Sequence, residues 1–169
     1  MPEVIDVFVG IDDNNVCIIP QYAHGDEDAG ADLYSIETIE IPAGEMRLVH
    51  TGIHLAIPKG YVGVVCGRSG LGINHMLHLV QGVGIIDSGY RGEIMIPLHN
   101  QKPKEWWVKR IFRKIFNLPD PTVVTIPKGM RIAQILFIPV SNAFLVLVGP
   151  VEGLPASLRD KKGFGSSGR

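Results

Sequence analysis

The sequence predicts an all-β protein of the antiparallel sandwich or jelly-roll kind, and three observations carry that prediction. Twenty glycines and twelve prolines cut the 169 residues into short segments. Those segments are apolar throughout or alternate apolar with polar residues, the period of a strand with one buried face. Turn signals such as Ile57-Pro58-Lys59-Gly60 and Ile126-Pro127-Lys128-Gly129 recur, with no helical pattern alternating between strands. The predicted strands are Val4–Val9, Val16–Ile19, Met46–His50, Ile53–Ile57, Tyr61–Cys66, Glu93–Leu98, Val123–Ile126, Arg131–Ile138 and Phe144–Val148, with a further short strand in the stretch Ala29–Ser35. An α/β fold is not expected.

Two stretches break the pattern. Between Asn100 and Pro119, Val108, Ile111, Phe112 and Ile115 recur at helical spacing, with Lys109, Arg110, Arg113 and Lys114 opposite. This predicts one helix within residues 104–117, started by Asn100 or Pro103 and ended by Asn117. A basic amphipathic helix of this kind docks a protein partner or an anionic surface. The plainer expectation is an insertion, residues 102–120, that packs its Trp106/Trp107 face on the protein's own body. The second stretch is the C-terminal tail, residues 151–169, rich in Gly and Ser and expected to be mobile until it closes over a ligand. Residues 1–150 form the β domain.

The bulk numbers exclude several functions. With 16 Lys and Arg against 17 Asp and Glu, the formal charge of −1 supplies no global field toward nucleic acid or membrane. Neither is an expected partner, and any phosphate affinity must be local. Cys17 and Cys66 lie singly in apolar runs and read as reduced core residues. The N-terminus carries acids where a signal peptide needs bases, and no apolar run approaches a membrane span. A cytoplasmic location is expected.

Candidate chemistry collects at glycine-flanked segments. In Gly67-Arg68-Ser69-Gly70-Leu71-Gly72, Arg68 offers a planar fork to phosphate oxygens, Ser69 a hydroxyl, and the glycines close backbone approach to an anion. An ordinary β-turn with an exposed arginine fits the same residues. Gly82 to Ile94 has the layout of a β-hairpin around Asp87-Ser88-Gly89. Its backbone can read a base edge, Asp87 can act as a general base, and Tyr90 can wall a sugar ring. Asp32, in a glycine-bounded strand, is by itself more simply a turn former or surface charge. Gly163-Phe164-Gly165-Ser166-Ser167-Gly168 spells G-x-G-x-x-G without the strand and helix a dinucleotide fold requires. It reads as a disordered end or as a lid, with Phe164 stacking on a base and Ser166 and Ser167 on phosphates. His75/His78 and His50/His54 lack the partners of a zinc site.

Taken in order, AGADLYS, GRSGLG, GVGIIDSGYRGEI, GMRIAQILF and GFGSSG resemble the five motifs of the trimeric dUTP nucleotidohydrolase (dUTPase) family, over about Ala29 to Gly168. The resemblance implies a jelly roll of the β-clip type and a homotrimer whose sites are each assembled from several subunits. It implies hydrolysis of dUTP to dUMP and pyrophosphate with Mg²⁺, which limits uracil incorporation into DNA and supplies dUMP for thymidylate synthesis. By the same resemblance Asp87 deprotonates the attacking water, and Tyr90 packs on deoxyribose and excludes a 2′-hydroxyl. Asp32 holds Mg²⁺ through its water shell. Arg68, Ser69, Gly70 and Gln134 contact phosphates, and Arg159 reaches the γ-phosphate. Phe164 covers uracil, with Gly165, Ser166 and Ser167 beside it in the lid. Gln81, where many relatives carry asparagine, leaves base contacts to the backbone of Gly82, Val83 and Gly84. Met130, Asp160 and Lys162 also depart from the pattern.

Two alternatives remain. A dCTP deaminase shares the fold, but its catalytic glutamate falls ten residues after Asp87, where this chain has Pro97. A nucleotide-binding regulatory protein would keep the fold and hold a partner through residues 104–117.

Overall fold

The computed structural model describes residues 4–12, 17–104, 107–150 and 155. Along them the chain forms strands β1 (Phe8–Ile11), β2 (Ala31–Tyr34), β3 (Ile39–Ile41), β4 (Met46–Val49), β5 (Ile53–Ala56) and β6 (Tyr61–Gly67), then helix α1 (Ser69–His75). There follow β7 (Leu77–Leu79), β8 (Val83–Ile86), β9 (Ile96–Asn100), helix α2 (Trp107–Ile115), β10 (Val124–Ile126) and β11 (Arg131–Pro139). A four-stranded sheet runs β2-β11-β6-β8 and a three-stranded sheet β4-β9-β7, with the ribbons β1-β5 and β10-β3 beside them. Every ladder is antiparallel. This is the all-β fold with a small helical element that the residue pattern predicts.

Alternation decides which side chains make the core. Along β9, Ile96, Leu98 and Asn100 point inward while Pro97 and His99 are half-buried, and β5 alternates in the same way. Leu33, Ile53, Ile126 and Ile135 join them in full burial, each contributing about 1.5–3 kcal/mol of transfer free energy. At Gly63 the strand passes so close to the core that an added Cβ would lie 2.9 Å from Ile57 Cδ1 and 3.0 Å from Ile135 Cδ1. Only glycine fits there without moving a neighbour.

Several elements differ from expectation, each for a local reason. The Gly82–Ile94 segment is not a hairpin. Its first arm, β8, pairs with β6, whereas beyond the Asp87 turn the chain leaves that sheet and Ile94 donates its N–H to Ile53 O at 2.8 Å. The glycine-flanked run after β6 is a helix, α1, because Leu71 is buried on its inner face and Met76 stops it in the left-handed conformation, φ 54°. Residues 17–20 and 141–148 are not in strands, and Phe144, Leu145 and Leu147 are almost fully exposed. Cys17 and Cys66 are free thiols, as expected, but half-buried rather than core.

Asn100 does not cap α2. It is fully buried, and its Nδ2 donates to Ile41 O and to Thr122 O, both at 2.8 Å, while its Oδ1 accepts from Lys102 N at 3.0 Å. It therefore stitches together the two ends of the insertion. Asn117 does end the helix, with φ 51°: Leu118 N–H bonds to Arg113 O at 2.9 Å, the closing bond of a left-handed C-terminal cap. Val108, Ile111, Phe112, Ile115 and Phe116 are all exposed, while the expected packing of the Trp106/Trp107 face falls on side chains outside those described. Trp106 lies outside the described residues.

Candidate active site

The middle of the four-stranded sheet concentrates charge. β11 runs between β2 and β6, and its Gln134 lies opposite Asp32 on one side and Cys66 on the other. Asp32 is 6% exposed, so the plainer reading of it as a surface charge is wrong. Its Oδ1 accepts from Arg68 Nη1 and its Oδ2 from Arg131 Nη1 at 3.2 Å. A carboxylate this buried without partners would be costly, and two guanidiniums compensate it. With Asp28 on the same pocket, two guanidiniums face two carboxylates there.

A pocket of about 170 Å³ opens on this corner, lined by His24, Asp28, Gly30, Asp32, Arg68, Ser69, Arg131 and Gln134 among others. Gly30 keeps it open, since a Cβ there would lie 3.4 Å from Gln134 Oε1 and 3.2 Å from Leu136 Cδ1. At the rim, Asp28 accepts from His24 N at 2.7 Å, a bond that with the His24 ring holds its carboxyl below the ordinary value. A second cleft, of about 680 Å³, continues from Arg68 and Ser69 past Gly72 and His78 to Gly82. Gly82 adopts φ +73° at the turn into β8, a backbone that favours glycine.

The structure thus brings together Asp32, Arg68, Ser69 and Gln134, with Gly70 next in α1 and Gln81, Gly82, Val83 and Gly84 leading away along β8. It does not bring Asp87 or Tyr90 to that corner. Val83 pairs with Cys66 but Ile86 with Gly63, so the Asp87 turn lies at the other end of the ladder, about 15–20 Å from Arg68 at strand rise. There Asp87 and Tyr90 are exposed. The Tyr90 hydroxyl donates to Glu93 O at 3.0 Å, and Tyr90 N–H closes the turn on Asp87 O at 3.0 Å. Arg159, Phe164, Gly165, Ser166 and Ser167 lie outside the described residues.

Glu93 anchors that turn to the body. Burial pushes its carboxyl up, but the amides of Gly52 (2.8 Å) and Thr51 (3.0 Å) and the His50 ring (2.8 Å) outweigh it and hold the group below its ordinary value. The bond to Glu93 in turn raises His50. Sequence reasoning missed Arg131 and Glu93 as supports of the two halves. The signal for Arg131 was its place three residues before Gln134 on one strand, whereas nothing local marks Glu93.

A four-stranded sheet that holds a buried carboxylate between arginines, beside a serine and an open pocket, defines a protein that binds phosphate-rich ligands. The sequence model of the dUTPase family matches residues 17–168, and the chain belongs to that family. It is 40% identical to the deoxyuridine 5′-triphosphate nucleotidohydrolase of Crocosphaera subtropica over 151 residues, covering 89% of this chain and 91% of that protein. It is 41% identical to the Mycobacterium marinum enzyme of the same name over 152 residues, covering 89% and 87%. Among solved structures, Staphylococcus bacteriophage 80alpha dUTPase with dUpNHpp superposes with a TM-score of 0.79 at 29% identity, covering 98% of this chain and all of that one.

Proposed function

We propose that this chain hydrolyses dUTP between its α- and β-phosphates, releasing dUMP and pyrophosphate. The observation that carries the reading is the corner at Asp32, where Arg68, Arg131, Ser69 and Gln134 converge on one pocket in a member of the dUTPase family. Phosphoanhydride cleavage asks little covalent chemistry of a protein; it needs neutralised charge, an in-line water and exclusion of solvent. The arginines neutralise charge. Ser69 and the Gly70 amide serve the bridge between α- and β-phosphates. Asp87 takes a proton from water as it attacks the α-phosphorus, the bond to the bridging oxygen breaks, and pyrophosphate leaves. Tyr90 packs on deoxyribose, and the backbone of Gly82–Gly84 reads uracil with Gln81 beside it. The tail, with Arg159, Phe164, Gly165, Ser166 and Ser167, closes over the substrate.

Mg²⁺ fits the donors to a limited extent. No cluster of three or more His, Cys, Asp or Glu exists among the described residues, so those residues offer no metal cage within one chain. Asp32 and Asp28 on one pocket suit an ion that keeps its waters and shares substrate phosphates. Such an ion would neutralise charge on the triphosphate, and Asp32 would hold it through water once phosphate draws Arg68 away.

The separation of Asp87 from Arg68 within one chain supports sites built from several copies of it. So do two complementary surfaces. Phe144–Val148 is an exposed apolar run, and an apolar groove lined by Val7, Tyr22, Leu55, Tyr61 and Phe137 lies open. We propose a homotrimer in which each site takes its phosphate corner from one copy and its Asp87 turn from another. No helix of the described residues is long and apolar enough to cross a membrane, and a cytoplasmic enzyme is the reading we adopt. Incubation with dUTP, dCTP, dTTP and UTP, with Mg²⁺ or chelator, tests the activity. Release of dUMP and pyrophosphate from dUTP alone, and only with metal, is the expected result; deamination of dCTP, or survival of every nucleotide, overturns it.

A further inference from the structure

Helix α2 carries an unpartnered surface that the hydrolytic reading does not use. At 100° per residue, Val108, Ile111, Phe112, Ile115 and Phe116 fall in one stripe about 140° wide. Each of the five is between 50% and 71% exposed, and the Phe112 and Phe116 rings stack on one another at 4.4 Å. No strand packs extensively against this helix. A contiguous apolar stripe left in water is a docking surface or an aggregation liability.

The charge around the stripe selects the occupant. Residues 102–114 hold six of the chain's sixteen Lys and Arg and one of its seventeen acids, leaving ten cations against sixteen acids elsewhere. The near-neutral whole hides a basic insertion on an acidic body. Arg113 turns back to Pro119 O at 2.8 Å, but Lys109, Arg110 and Lys114 are exposed. At 100° per residue Lys109 borders the stripe while Arg110 and Lys114 lie on the face behind it, so the helix has one apolar and one basic side. Between Lys102 and Phe116 there is no Ser, Thr, Asn or Gln, so apart from the indole N–H groups of Trp106 and Trp107 the segment offers apolar area and positive charge. Nucleic acid would satisfy the charge and leave the phenylalanines in water. A protein groove would ordinarily add polar contacts that fix register. An anionic lipid surface asks for apolar area and cations alone.

We propose that α2 is an interfacial helix that lays its Val108–Phe116 stripe into membranes bearing anionic headgroups, with Lys109, Arg110 and Lys114 at the phosphate level. The expectation of no membrane partner came from the charge of the whole chain, and the local charge reverses it. Because α2 is about 13–14 Å long, one helix binds weakly and reversibly, and the interaction weakens as salt screens the charges.

The chain's two tryptophans are both adjacent to the stripe, at 106 and 107, so their emission reports this segment alone. The test uses the full-length assembled protein with vesicles of phosphatidylcholine and of phosphatidylcholine with phosphatidylserine, read by flotation and by indole emission. The expected result is co-flotation and a blue shift with the anionic vesicles only, reduced at high salt. Phe112→Asp, and separately the triple variant Lys109→Glu/Arg110→Glu/Lys114→Glu, should each lower binding at least tenfold while dUTP hydrolysis is unchanged. Absence of binding to anionic vesicles overturns the proposal, whether the stripe is then covered by another copy or by a protein. Equal binding to neutral vesicles, or binding that survives both variants, overturns it as well. A protein that binds vesicles but does not hydrolyse dUTP would separate this inference from the enzymatic one.

Discussion

The phosphate corner and the Asp87 turn are both rich in charge and hydrogen-bonding groups, yet they are built in opposite ways. At the corner, Asp32 is buried and paired on both oxygens, and its two partners come from the ends of two other strands, β6 and β11. At the turn, Asp87 and Tyr90 are exposed, and the chain is tied down behind them, at Glu93 and at the Arg91 carbonyl, which lies 2.9 Å from the His54 ring. One region is structural and functional at once, and the other is held ready by its neighbours. Substitutions at the corner should therefore change stability and activity together, whereas those at the turn should separate them.

The largest separation is expected at the turn. Asp87→Asn should lower kcat by about 10²–10⁴, the usual worth of a general base, with an unchanged melting temperature because the side chain is exposed. A kcat equal to wild type would remove Asp87 from that role. Arg68→Ala should lower kcat/KM strongly and also cost stability, by about 2 kcal/mol, because Arg131 alone then faces the Asp32 carboxylate. Denaturant titration reads the second effect, and intact stability would show that the ion pair does not support the fold.

Glu93→Gln should cost about 1–3 kcal/mol through its weakened bonds to Gly52 and Thr51, with a smaller effect on kcat. Its pH dependence sharpens the comparison. His50 is raised in the fold, so its contribution is complete below the ordinary value of 6.5 and is lost as pH rises through the raised one. Glu93 is lowered, so its contribution is present above the ordinary value of 4.5 and is lost as pH falls through the lowered one. The pair stabilises most between those two values, and Glu93→Gln should flatten that maximum in a series of melting curves. Tyr90→Phe, which removes only an exposed bond to Glu93 O, should change stability by about 1 kcal/mol or less.

The same contrast explains what could be read in the sequence. Strands β5, β6 and β11 were legible because each alternates against one core, and the motifs at Asp32, Arg68 and Gln134 were legible as a resemblance before any contact was known. Strands β3 and β7 were not: at three residues each, Ile39–Ile41 and Leu77–Leu79 are as short as β10, which only its place before the Ile126-Pro127-Lys128-Gly129 turn signal made legible. Helix α1 was hidden by Gly70 and Gly72, which disfavour a helix locally; burial of Leu71 overrides them. Phe144–Val148 reads as a strand because it is apolar, yet it joins none of the sheets and its side chains stay exposed, so nothing packs against the period. The role of Glu93 depends on contacts more than forty residues away in sequence, beyond the reach of any local pattern.

In the homotrimer we propose, the corner and the turn serve one site from different copies of the chain. Arg68→Ala and Asp87→Asn chains, each nearly inactive alone, should be co-expressed and the mixed assembly assayed for dUTP hydrolysis. If the site is shared, random mixing places an intact Arg68 against an intact Asp87 in about a quarter of sites, and activity should recover to roughly that fraction of wild type. A mixed assembly as inactive as either parent would mean that each chain must supply both halves itself.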